Sequence, residues 1–108
     1  MENLIARKRQ EKNVSWSAAN ASAAVDLEGM AGGMLYIDGS FTGAALTFQV
    51  SYDGGTTYAT LQDDGADVSI SVTADRVAVL PAELFGARFV KFVSDASETC
   101  TGRLMASS

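Results

Sequence analysis

Aspartates cluster in two predicted turns near the middle of the chain, and at this spacing their carboxylates could bind a metal ion. Asp63, Asp64 and Asp67 lie close together, and Asp53 belongs to the preceding turn. Calcium takes about six to eight oxygen ligands, so these side chains could together hold an ion. Turns need the same residues for backbone reasons alone, because aspartate hydrogen-bonds to nearby backbone groups. We favour the turn interpretation and expect no metal site.

The sequence contains few of the residues and motifs on which catalysis usually depends. The chain has no histidine, which is the usual general base and the commonest metal ligand. Carboxylate pairs could be drawn from Glu83 with Asp95, or from Asp26 with Glu28, but nothing fixes either pair at a catalytic separation. No serine lies in a Gly-x-Ser-x-Gly elbow. We therefore predict that the protein is not an enzyme, has no catalytic residue and uses no cofactor.

Aromatic side chains suggest binding instead. Trp16, Tyr36, Tyr52 and Tyr58 could stack on sugar rings, and β-sandwiches are common scaffolds for lectin-like modules. A core position is the favoured interpretation for each of them. Tyr52 is in register with the apolar residues of 46–50, so we expect it to face the core. Trp16 and Tyr58 are kept as candidates for contact with a glycan or another partner.

The stretch from Ala44 to Asp53 predicts the clearest strand, because apolar and polar residues alternate along it. Glycines at positions 54 and 55 then reverse the chain into a hairpin. Residues 82–86, after Pro81, predict one helical or 3₁₀ turn. Further short strands are predicted at 14–18, 21–28, 34–38, 58–62, 68–73, 76–80, 88–93 and 99–105.

This pattern predicts an all-β fold: a single antiparallel β-sandwich or jelly roll of about eight short strands, with a short N-terminal helix or arm. A chain of 108 residues is one domain. We expect a basic arm or short helix over residues 1–13 and the sandwich over residues 14–108. Residues 34–38 carry apolar side chains on both faces, which indicates a central strand.

Charge is unevenly distributed along the chain. The net charge is −5, yet residues 1–14 hold four basic and two acidic residues, which leaves −7 for the remainder. An acidic body argues against nucleic-acid binding. No apolar run approaches the roughly 18 residues of a membrane span, and the N-terminus lacks a secretion signal. We expect synthesis in a host cytoplasm and no membrane partner.

Four segments carry a resemblance to a known class of protein. They are residues 44–58, the Asp64-Gly65 turn before an alternating strand, residues 79–85 and residues 87–93. Over roughly residues 25–95 the chain resembles small β-sandwich virion structural proteins of tailed bacteriophages. The resemblance implies a capsid decoration, or cement, protein that binds and stabilises the head lattice. It also implies a place on the capsid surface of the virion.

We therefore expect the major capsid protein of a phage head as the partner. A homo-oligomer is expected, with a trimer favoured. The arm would bind an acidic capsid groove through two apolar and four basic residues: Leu4, Ile5, Arg7, Lys8, Arg9 and Lys12. The alternatives are a carbohydrate-binding module on a phage head or tail fibre, and a tail or neck structural protein.

Overall fold

A computed structural model describes residues 9–108 and consists mainly of antiparallel strands. The predicted all-β class is confirmed. The strands are β1 (Arg9–Ala21), β2 (Val25–Asp26), β3 (Gly32–Ile37), β4 (Ala45–Ser51), β5 (Tyr58–Thr60), β6 (Gln62–Asp63), β7 (Ala66–Asp67), β8 (Ser69–Ser71), β9 (Arg76–Val79) and β10 (Phe89–Ser107). A 3₁₀ helix, Ala82–Gly86, lies where the sequence predicted a turn.

Strand β10 pairs with four of the other strands. Its first part pairs with β4, β2 and the end of β1, and its second part pairs with β3 and the rest of β1. We call β2, β4, β5, β8 and the first part of β10 the first layer. The second layer is β1, β3, β9 and the second part of β10. The sequence predicted two short strands here, but the 19 residues of β10 continue from one layer into the other.

Inward side chains of both layers form one core. Phe48 of β4 packs edge-on against Phe92 of β10, with ring centroids 5.9 Å apart. Leu35, Ile37 and Leu104 of the second layer are fully buried in the same cluster. Burying side chains of this size stabilises the fold by about 1.5–3 kcal/mol each. The alternation of apolar and polar residues along β4 therefore fixes which face of this strand points inward, whereas β3 is apolar on both faces.

A wide bulge in β10 joins the two layers. Ala19 pairs with Glu98 while Ala21 pairs with Val93, so β10 has several extra residues between the two pairs. Ser94, at the start of this bulge, is buried and its hydroxyl donates to Oε2 of Glu98 over 2.7 Å. The extra length lets one strand bend between two sheets. The sequence signal for a loop at residues 94–97 was in fact the signal of this bulge.

Glu98 is only 2% exposed, yet its carboxylate is well supplied with donors. The backbone N–H groups of Thr42 and Gly43 each donate to it over 2.9 Å. Burial raises the pKa of Glu98, but these bonds, together with those from the Ser94 and Thr42 hydroxyls, outweigh burial, so the pKa lies below its ordinary value. Asp95 accepts the next N–H, that of Ala44, over 2.9 Å.

The loop at residues 42–44 is therefore held by the bulge through three successive N–H groups. Glycine suits position 43, because a Cβ atom there would force the side chains of Ser94 and Asp95 to move. The close approach of backbone and carboxylates ties the start of β4 to the bend of β10.

The predicted hairpin is confirmed: β4 and β5 pair from Ser51 with Tyr58 to Gln49 with Thr60. A second hairpin joins β6 to β7 through Asp64 and Gly65, whose φ angles are 54° and 78°. Positive φ at both turn residues suits the twist of a two-residue hairpin.

The prediction of an arm or short helix over residues 1–13 is wrong for its last five residues. Residues 9–13 are not an arm or helix but the start of β1, which pairs with β10 from Arg9 with Ser107 to Ser17 with Thr99. Pairing along the long second part of β10 stabilises the extended form of these residues, whereas a short isolated helix is only marginally stable in water. The first eight residues of the predicted arm lie outside the described residues.

Candidate binding surface

The aspartates that could have held calcium form turns. Asp53 Oδ1 accepts the N–H groups of Thr57 and Thr56 over 2.8 and 3.2 Å, and the bond from Thr57 is the main cause of its lowered pKa. Asp67 accepts the side-chain amide of Gln62 over 2.9 Å. Within residues 9–108, no three acidic or cysteine side chains are grouped so that they could hold a metal ion. These contacts agree with the turn interpretation of Asp53 and Asp67.

The candidate acid and base residues have structural contacts. Arg88 lies between Asp26 and Glu28, with nitrogen to oxygen distances of 3.3 and 3.4 Å. The N–H of Glu28 and then Arg88 lower the pKa of Asp26, so it stays ionised and is unsuited to donate a proton near neutral pH. Asp95 holds the backbone of Ala44, and Glu83 is exposed in the 3₁₀ helix.

Trp16 is a core residue and offers no face to a glycan. It is 4% exposed, and its ring packs edge-on against Phe41 with centroids 5.6 Å apart. Its Nε1 donates to the backbone carbonyl of Asn20 over 3.0 Å. The alternation of β1 explains this position, because Trp16 and the fully buried Val14 share the inward face.

Tyr52, unlike Trp16, is exposed. The sequence predicted a core position, which is wrong: the side chain is 73% exposed. Strand β4 ends at Ser51, whose hydroxyl accepts the N–H of Gly55 over 2.7 Å, so the alternation of the strand stops one residue before Tyr52. Tyr58 is half-buried, and the ammonium of Lys91 lies 4.5 Å from its ring centroid.

The predicted arm residues divide into three groups. Leu4, Ile5, Arg7 and Lys8 lie outside the described residues, and Arg9 is an exposed residue at the start of β1. Lys12 is used within the fold, because its ammonium donates to the backbone carbonyl of Asp26 and so joins β1 to β2. For Lys12 the structure thus shows a contact within the fold, and the capsid contact stays a prediction.

The outward face of the second layer carries the apolar surface that the sequence reasoning missed. Met34 of β3 pairs with Met105 of β10 on one side and with Val79 of β9 on the other. The exposed fractions are 44% for Met34, 75% for Val79 and 51% for Val77. We call Met34, Val77, Val79 and Met105 the apolar face. Its sequence signal was present, since β3 has apolar residues on both sides, but it indicated only a central strand.

An open groove borders the apolar face. Its volume is about 300 Å³, and it is lined by Arg9, Gln10, Glu11, Gly33, Met34, Met105, Ala106 and Ser107. Gly33 permits close packing at this point, because a Cβ atom there would lie 2.7 Å from the carbonyl oxygen of Met105. Beside the groove, Arg103 and Glu11 form an exposed ion pair at 2.7 Å.

The groove combines apolar side chains of the face with the charged side chains of Arg9 and Glu11. Arg9, the first described residue, lies in the groove wall. Within residues 9–108, no helix is long and apolar enough to cross a membrane. Comparison of the chain with protein-family models, curated proteins and solved structures finds no match in any of the three.

Proposed function

We propose that this protein is a virion structural protein of a tailed bacteriophage, and specifically a capsid decoration protein that binds the head lattice. The observation that carries the proposal is the apolar face on an otherwise well-packed β-sandwich. Contiguous exposed apolar side chains on a small protein mark interaction sites. The resemblance of residues 44–58, 64–65, 79–85 and 87–93 to phage virion proteins supports a capsid as the partner.

The apolar face is suited to contact with a protein surface. Met34 and Met105 are flexible thioethers that adapt to the shape of a partner, while Val77 and Val79 are stiff. The ion pair of Arg103 with Glu11 lies at the border, where charged groups of an interface usually lie. A decoration protein of this kind would bind weakly at each contact and gain strength from the many copies on the lattice.

The fold presents this face as a rigid platform. Strand β10 runs through both layers, and Glu98 fixes the bend between them through the N–H groups of Thr42 and Gly43. A surface that is already ordered loses little conformational entropy when it binds. Rigidity therefore favours binding to a repeating lattice.

The N-terminal segment is proposed as a second contact. The arm would bind an acidic capsid groove through Leu4, Ile5, Arg7, Lys8, Arg9 and Lys12, and Arg9 lies beside the apolar face. A deletion that tests this must stop at residue 8. Removing residues 1–12 would also remove the first four residues of β1 and their pairing with β10.

The test uses purified protein and empty capsids assembled from the major capsid protein of the same genome. Cryo-EM of the mixture should show added density at lattice symmetry positions. Val79→Lys places a charge in the apolar face and should greatly reduce occupancy, whereas Thr60→Lys, on an exposed residue of the first layer, should leave occupancy unchanged. Absence of added density with the unmodified protein would refute the proposal.

Tyr52 keeps the carbohydrate-binding alternative open on one observation, its exposed ring. Exposed aromatic rings can stack on sugars, and Tyr58 lies on the strand that follows the same turn. Glycan-array binding that is abolished by Tyr52→Ala would favour this alternative. Trp16→Ala is not a suitable test, because Trp16 is part of the core.

A further inference from the structure

Strand β9 is an open edge of the second layer. Among residues 9–108 it pairs with β3 alone. The N–H of Leu80, just after β9, donates to the carbonyl of Gly33 over 3.2 Å. Alternate residues of an antiparallel strand bond to the same neighbour, so Ala78 also bonds to β3. The N–H and C=O groups of Val77 and Val79 therefore point away from the sheet.

This edge lacks the features that normally prevent pairing. Natural edge strands are blocked by charged side chains, proline or bulges. Within β9 the side chains of Val77 and Val79 are exposed, and the pairing with β3 is regular from Arg76 to Val79. The single charge, Arg76, stands at the start, and Pro81 follows only after the strand has ended. The edge is thus free to accept a strand.

We propose that two copies of this protein pair through β9 in antiparallel orientation, about a two-fold axis at Ala78. Val77 of each copy would then lie opposite the partner's Val79. Under this symmetry the N–H and C=O groups of Val77 face those of the partner's Val79, and those of Val79 face the partner's Val77. The two pairs give about four hydrogen bonds between the subunits. The second layers of the two copies would join into one continuous sheet.

Charge supports a second copy as the occupant of the edge. Exposed Arg76 precedes the strand interior and exposed Glu83 follows its far end. Antiparallel pairing about Ala78 places Arg76 of each subunit opposite the partner's Leu80, at the end of the strand that leads to the partner's Glu83, so opposite charges lie at the same end of the pair twice. Such pairs at an interface border contribute mainly to specificity and register.

The pairing would also enlarge the binding platform. A two-fold axis perpendicular to the sheet leaves both outward faces on the same side. The row Met105, Met34 and Val79 would continue into the partner's Val77. This inference concerns the protein in solution and does not depend on the capsid role. A two-fold pair closes on itself, so it takes the place of the trimer expected from the sequence.

The test is sedimentation velocity of the purified full chain over a wide concentration range, which should show a species of twice the 11.3 kDa monomer. Val77→Pro removes an outward N–H that β3 does not use, and edge positions of this kind tolerate proline. This variant should be monomeric. Its circular dichroism spectrum should match that of the unmodified protein.

Thr60→Pro is the matched control on the opposite edge of the molecule. The N–H of Leu61 donates to Phe48, so the N–H of Thr60 also points outward from its sheet. This variant should still dimerise. The charge reversals Arg76→Glu and Glu83→Arg should each weaken the dimer, and the double variant should restore it.

Several results would overturn the inference. They are a monomer or a trimer for the unmodified protein, a dimer that survives Val77→Pro, or a dimer that is lost equally with Thr60→Pro. Amide exchange provides an independent measurement: Val77 and Val79 N–H groups should be protected in the dimer and exchange faster on dilution. Fast exchange of both in the dimer would equally contradict pairing through β9.

Discussion

The two outward faces of the sandwich differ sharply in chemistry. On the first layer, Lys91, Gln49 and Thr60 form a row across β10, β4 and β5. On the second layer the corresponding row is Met105, Met34 and Val79. Folding requires apolar residues only on the inward faces, and the first layer shows that polar outward residues satisfy the fold. Folding therefore does not require the apolar row, and the proposed binding function would account for it.

If neither outward face is needed for folding, the stability of the protein resides in its core. Trp16→Ala should lower the free energy of unfolding by about 4 kcal/mol, because it empties a buried site next to Phe41. Tyr52→Ala, at an exposed aromatic, should change it by less than about 0.5 kcal/mol. Urea denaturation followed by circular dichroism measures both. Similar losses in the two variants would contradict the buried and exposed assignments.

The two layers are held together at the bend of β10, and substitution of Glu98 tests how much its hydrogen bonds contribute. Glu98→Ala should cost about 3 kcal/mol, because it leaves the buried N–H groups of Thr42 and Gly43 without acceptors. Asp63→Ala, at an exposed carboxylate away from β9, is the control and should have little effect. If denaturation gave equal values for the two variants, Glu98 would not fasten the bend of β10.

The pH dependence of the unfolding free energy gives a smaller test of the same Glu98 contacts. The folded state lowers the pKa of Glu98 below its ordinary 4.5, so the ionised form stabilises the fold. This contribution is fully present above pH 4.5 and is lost as the pH falls through the lowered folded pKa. Glu98→Gln should be less stable near neutral pH but lose less stability on acidification. Equal slopes of unfolding free energy against pH would rule out this role.

The smallest stability effect is expected from exchanging the chemistry of the two faces. Val79→Thr and Thr60→Val should each change the free energy of unfolding by less than about 0.5 kcal/mol. Only Val79→Thr should reduce binding of a fluorescent apolar dye to the folded protein. A large loss of stability with Val79→Thr would mean that the apolar face is needed for folding.

The sequence predicted those parts of the fold that short-range patterns determine. Alternation in 44–53 predicted β4, the glycines after it predicted the hairpin, and Pro81 preceded the expected 3₁₀ helix. These features depend on neighbouring residues, so local chemistry is sufficient to predict them.

Long-range pairing set the rest. Residues 9–13 are extended because they pair with the distant second part of β10, and no local pattern shows that partner. The exposure of Tyr52 follows from the hydroxyl of Ser51, which ends the strand by accepting the N–H of Gly55. The apolar face depends on the register of β3 with β9 and β10, which a single strand does not reveal.

Radical footprinting on empty capsids tests the central claim most directly, because the two surfaces carry their own reporters. Met34 reports on the apolar face, and Tyr52, with its exposed ring, reports on the far end of the β4 hairpin. Capsid binding should slow the oxidation of Met34 and leave the modification of Tyr52 unchanged. Protection of Tyr52 with unchanged Met34 would contradict the assignment of the apolar face as the binding surface.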